Sequence, residues 1–168
     1  MDRVVLSSKV HKQIDSLTIL GSKIKIIILK IEYLEKQNEE VKLDVLSMDR
    51  NNRTSTLFQY IFREKQISLK KDELWNLYNS YTYATNTALE FIIQMFNIAE
   101  KEDDITYIFR AKRALDNLSF TLKLHQELQI PFSSVAPSIT RLEIITDSKD
   151  PNIKRRVKLV KDCVSPII

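Results

Sequence analysis

Apolar side chains recur every three or four residues along most of the chain, which is the spacing of one face of an α-helix. Val10, Ile14, Leu17, Ile24, Ile28 and Ile31 hold a seven-residue rhythm through Gly21, and Leu34, Val41 and Val45 continue it among glutamates and lysines. The spacing predicts a long helical segment over 7–47, as one helix or two. Within it, Lys23 to Ile31 reads KIKIIILKI, where β-branched residues and lysines partly alternate as in a strand. Helix is the expectation, because a lone strand would have no partner elsewhere.

Met48 to Thr54 is polar and rich in asparagine, so a loop is expected there. Thr54 or Ser55 is placed to cap a short helix containing Leu57, Tyr60 and Ile61, and Ser68 to begin the next. That next helix, over 69–101, carries a heptad stripe of Leu74, Leu77, Tyr81, Ala84, Ala88, Phe91, Met95 and Ile98. A tight link at Glu102, Asp103 and Asp104 follows, with an aspartate placed to cap a central helix running from Asp103 to Ile130. Ile108, Ala111, Leu115, Leu118 and Leu122 form its core face. Pro131 ends it, because the residue before a proline avoids helical geometry. Ser133 or Ser134 then caps a shorter helix with Ile139, Leu142 and Ile145, in which Pro137 sits near the first turn. Asp150 and Pro151 start a small amphipathic helix over 151–164, with Ile153, Val157, Val160 and Val164 on its apolar side.

The predicted architecture is therefore all-α, an up-and-down bundle with a four-helix core. One domain over 1–168 is expected, with a core bundle over 54–147, a long N-terminal helical segment and a short basic C-terminal helix. A single glycine and four prolines in 168 residues leave little of the turn chemistry that sheets need. The lone Cys163 excludes an intramolecular disulfide and suits a reducing compartment, so a cytoplasmic location is expected. No apolar run is long enough to cross a membrane.

The net charge is +4, and its excess lies in the last helix, where Lys154, Arg155, Arg156, Lys158 and Lys161 face Asp162 alone. Such a terminus suits an anionic partner, nucleic acid ahead of a membrane surface. The outer face of the 103–130 helix is the second candidate. Arg110, Arg113 and Lys123 there could pair with phosphates, while Phe109 or Phe120 offers a stacking surface. The same Phe109, Phe120 and Leu124 also suit an interface covered by another helix or another subunit.

Catalytic and metal-binding patterns are not found. His11 and His125 have no His, Cys or acidic partner at metal-ligand spacing, and Gly21 lacks the second glycine of a phosphate-binding loop. The Arg-to-His pairing of small helical ribonucleases is missing as well. His125 falls on the core stripe of its helix, where a hydrogen-bonded structural role fits better than catalysis. No enzymatic activity and no cofactor is expected.

Ala88-Leu89-Glu90-Phe91-Ile92-Ile93, Ala111, the run Leu115 to Leu124 (LDNLSFTLKL), Glu127-Leu128 and Leu142-Glu143-Ile144 together resemble a four-helix-bundle family. That family includes the accessory variability protein of diversity-generating retroelements and the proteins encoded in intervening sequences of 23S ribosomal RNA. The likeness spans roughly residues 70–145. Glu143-Ile144 continues into Ile145-Thr146-Asp147 where the family tends to Gly-Arg, the 7–47 segment is longer, and the basic tail is additional. The resemblance implies a non-enzymatic bundle that forms a ring-like homo-oligomer and binds nucleic acid and a reverse transcriptase, with Arg110, Arg113 and Lys123 as the matching basic residues. The competing expectation is an assembly subunit that acts through helix-helix contacts without binding nucleic acid.

Overall fold

The computed structural model describes residues 3–45, 48–132, 135–147 and 149–165. They form five α-helices: α1 (Arg3–Asp44), α2 (Arg50–Lys101), α3 (Ile105–Leu124), α4 (Ala136–Thr146) and α5 (Pro151–Val164), with a 3₁₀ turn at Gln126–Leu128. There is no strand among the described residues, and 23–31 lie within α1. Among the described residues, no helix is long and apolar enough to cross a membrane.

The chain divides into two compact units, one of Met1–Gly21 with Tyr78–Ile168, the other of Ser22–Leu77. The first is built around the C-terminal half of α2. There Tyr81, Ala84, Ala88 and Met95 of the expected stripe are buried, as are Leu89, Ile92, Ile93, Phe96 and Ala99 from flanking positions. A helix apolar on so much of its circumference has neighbours on several sides. α3 contributes Ala111, Leu115, Leu118 and Leu122 to this core, with Tyr107 and Ala114 beside them, and α5 contributes Ile153, Val157, Val160 and Val164. The polar contacts Lys112–Asp150, Asp116–Arg156 and Ser119–Cys163 advance together along α3 and α5, so these two helices run the same way. Glu143–Lys161 and Asp147–Lys154 advance in opposite senses, so α4 runs against α5.

The local signals at the later boundaries hold. Asp104 caps α3 by accepting from the Tyr107 amide at 3.1 Å, and Asp150 caps α5 by accepting from the Asn152 amide at 2.8 Å. Pro137 lies in the first turn of α4; the proposed caps Ser133 and Ser134 fall outside the described residues.

Two expectations are corrected. The central helix does not reach Ile130: α3 stops at Leu124, His125 caps it, and the backbone turns left-handed at Gln129 (φ 52°) after the 3₁₀ turn. The expected break does separate the first two helices at Met48 and Asp49, but it stops there rather than at Thr54, and the separate helices beginning near Thr54 and Ser68 are one continuous α2 from Arg50. Asp49 takes the capping role, its Oδ1 accepting from the Asn52 amide at 2.9 Å. The Thr54 hydroxyl donates back to the Arg50 carbonyl at 3.0 Å, a bond made inside a helix rather than at its start.

The second unit is a two-helix hairpin made of the adjoining halves of α1 and α2. Glu35 pairs with Lys71 at 3.0 Å, and the Asn38 amide donates to the Tyr60 carbonyl and the Glu64 carboxylate, so the two helices run antiparallel. Its core is small: Ile27, Ile31 and Ile67 are buried, with Leu34, Leu74 and Leu77 packed against them. That stripe passes straight through Ser68, which stays exposed on the outer side of α2.

Candidate nucleic-acid interface

Arg110 and Arg113 lie one turn apart on the N-terminal half of α3, on the side turned away from Ala111, Leu115 and Leu118. Both are exposed, and neither has an ion pair among the described residues. Two depressions meet at Arg113. One, of about 410 Å³, is lined by Ser7 and His11 of α1 and by Arg110, Arg113 and Asn117 of α3. The other, of about 250 Å³, is lined by Phe109, Lys112, Arg113, Asp116 and Arg156. The cluster thus offers two guanidiniums without acidic partners, an imidazole, a carboxamide and an aromatic ring that is 65% exposed. Guanidiniums present a fork that matches phosphate oxygens, and an exposed ring can stack on a base.

The neighbouring cations are already engaged. Lys112 reaches Asp150 at 3.3 Å, and Arg156 donates through Nε to Asp116 at 2.8 Å. The Asn152 amide, followed by the Lys112 ammonium, holds the Asp150 carboxyl below the usual carboxylate range. Along α5, Lys154 pairs with Asp147 at 3.7 Å, Lys161 with Glu143 at 3.3 Å, and Arg155 donates to the Asn152 side chain at 3.2 Å. Lys158 is exposed. The basic helix read from the sequence is therefore largely matched by acids on α3, α4 and the segment between α4 and α5.

Lys123 stands apart from the cluster: it is ten residues beyond Arg113 on the same helix, about 15 Å along the axis. It shares the C-terminal half of α3 with Phe120 and Leu124, both exposed, as Phe109 is. In the sequence His11 is only a lone histidine without metal-ligand partners, and nothing there joins it to this face. His11 lies more than a hundred positions from Arg113, and only the packing of α1 on α3 brings it near.

His125 does not belong to this cluster. Its Nδ1 lies 2.7 Å from the hydroxyl of the buried Tyr81. Burial lowers the histidine pKa, with Glu127 acting in the opposite direction, and raises that of Tyr81. A neutral ring accepting the tyrosine proton at Nδ1 satisfies both groups. The ring also lies directly against Gly21, where any β-carbon would overlap it. The single glycine is therefore a seat for His125 on the backbone of α1. Cys163 is half-buried and its thiol is pushed up by burial, the opposite of what a reactive thiolate requires. Among the described residues, no three His, Cys, Asp or Glu side chains converge as a metal site would need.

No protein-family model, no curated protein and no solved structure matches the chain.

Proposed function

We propose that this chain is a non-enzymatic helical accessory protein that binds nucleic acid, RNA or DNA, through the Arg110 and Arg113 face of α3. The observation that carries the reading is that these two arginines stand exposed and without ion pairs beside Phe109, while the other basic helix is mostly matched by acids. Exposed ion pairs are weak and exchangeable, so Lys154, Arg156 and Lys161 lend positive potential without being the primary contacts. Lys123, Arg155 and Lys158 extend the footprint along the phosphate backbone. The reading includes an up-and-down bundle as the scaffold, a homo-oligomer that multiplies the basic faces, and a cytoplasmic location. The family likeness points the same way, and a reverse transcriptase is the protein partner it suggests.

Charge reversal tests the face. Arg110→Glu with Arg113→Glu is expected to lower affinity for structured RNA or duplex DNA at least tenfold, with helical circular dichroism unchanged. Equal affinity in the variant would remove this face from the interface.

A second reading, assembly through helix-helix contacts, is favoured by one observation of its own. The hairpin of Ser22–Leu77 leaves many large apolar side chains exposed, among them Ile26, Leu29, Tyr33, Phe58, Phe62 and Trp75.

A further inference from the structure

The outer side of α3 alternates rings and cations. Phe109 and Phe120 are both 65% exposed, and neither has a ring or cation contact among the described residues. They are eleven positions apart, about three turns, so both rings stand on one side of the helix, about 16 Å apart along its axis. Arg113 follows Phe109 by four positions and Lys123 follows Phe120 by three, the spacings of surface neighbours on a helix. Both cations are exposed and without ion pairs among the described residues. Asp116, the single acid of α3, lies between the two rings, and Arg156 holds its carboxylate at 2.8 Å. Phe109 and Arg113 line the same depression of about 250 Å³.

We propose, resting on the Arg110 and Arg113 face as a nucleic-acid interface, that this stripe takes an unpaired strand in preference to a duplex. Bases stack on Phe109 and Phe120, and phosphates meet Arg110, Arg113 and Lys123. In a duplex each base is stacked between its neighbours, and only its edges reach the grooves. A ring on the outside of a helix then finds no free base face, whereas every base of an unpaired strand offers one. The alternation of ring and cation along α3 follows the alternation of base and phosphate in such a strand.

The same cations select a strand over a covering helix. An apolar helix laid over Phe109, Phe120 and Leu124 would bury Arg113 and Lys123, and the one acid of α3 is already held by Arg156. A buried charge without a partner is costly. Phosphates neutralise both cations while the bases cover the rings. Stacking also differs from charge in its response to salt: it releases no counterions, so it adds affinity without adding to the salt slope.

Fluorescence anisotropy of labelled oligo(dT), oligo(rU) and a blunt duplex of equal length, titrated with the full chain at one salt concentration, tests this. The single strands are expected to bind at least about tenfold more tightly than the duplex, from two stacked bases. Phe109→Ala should weaken single-strand binding by about 5- to 150-fold, the range for one stacked base, and leave duplex affinity unchanged. Phe109→Trp should retain single-strand binding, and Phe109→Leu, apolar but unable to stack, should not. The loss in Phe109→Ala should be the same across a salt series, whereas Arg110→Glu with Arg113→Glu should flatten the salt slope and weaken both forms. Phe109 is exposed, so its variants are expected to keep the helical circular dichroism of the parent. Equal affinity for single strand and duplex, with Phe109→Ala changing neither, overturns the proposal and leaves the arginine face as a phosphate contact. A change in sedimented mass in Phe109→Ala without a change in single-strand affinity also overturns it, and gives the ring to a protein interface. Binding of neither form overturns the proposal together with the nucleic-acid reading beneath it.

Discussion

Single residues carry the sharpest tests of the packing. Alanine usually stabilises a helix interior relative to glycine by about 0.5–1 kcal/mol. At Gly21 the sign should reverse, because the added methyl overlaps the His125 ring, which the Tyr81 hydroxyl holds in place. Gly21→Ala is expected to destabilise by about 1–3 kcal/mol, the usual cost of overpacking. In a His125→Ala background the same change should be neutral or stabilising, and thermal melts of the four proteins in a double-mutant cycle check this. His125 also sets a pH dependence. Its folded pKa lies below its unfolded value, so the unfolded chain binds more protons as pH falls through that range. The contribution of the neutral ring is complete above pH ~6.5 and is lost as pH falls through the lower folded value. The melting temperature should therefore fall as pH drops below ~6.5, and more steeply than in His125→Gln. A parallel pH course in both proteins would contradict the assignment.

At the scale of the helices, what was legible in the sequence followed local chemistry. The caps Asp104 and Asp150, Pro137 in a first turn and the apolar stripes of α3 and α5 are properties of neighbours in the chain. Two failures came from local signals that packing overrode. Thr54, Ser55 and Ser68 look like caps, yet Asp49 supplies the cap ahead of the first two, and the stripe of Ile67, Leu74 and Leu77 carries α2 past Ser68. His125, on the expected core stripe, instead closes α3 where its ring seats on Gly21 and Tyr81. A third feature was hidden by residue type. Asn38 occupies a core position of the hairpin, is only 3% exposed and leaves its own Oδ1 without a partner, as is Arg63 Nη1. A buried polar group of this kind fixes register at a cost in stability. Asn38→Leu is expected to raise hairpin stability by about 1–2 kcal/mol, within the penalty for one unsatisfied buried acceptor. Denaturant unfolding followed by circular dichroism checks it, and destabilisation would mean that the bonds to Tyr60 and Glu64 outweigh that penalty.

For the whole molecule, the net charge of +4 misdirects if it is read as location. The excess lies in α5, but Asp116, Asp147 and Glu143 arrive from other elements to meet it, a match no linear reading could register. Arg110 and Arg113 stand exposed without an ion pair among the described residues, on a helix where Arg110, Lys112, Arg113 and Lys123 face Asp116 alone. A homo-oligomer would carry one such face per copy, and weak sites joined on one nucleic acid gain avidity. The measurement that bears most directly on nucleic-acid binding is the affinity of the purified full chain for a structured RNA and for duplex DNA across a salt series. Two phosphate contacts by Arg110 and Arg113 predict a logarithmic slope of about −1.8 on duplex DNA, steeper if Lys123, Arg155 and Lys158 join them. No binding at low salt would contradict the account, and the chain would then be understood as an assembly subunit whose basic residues only solvate its surface.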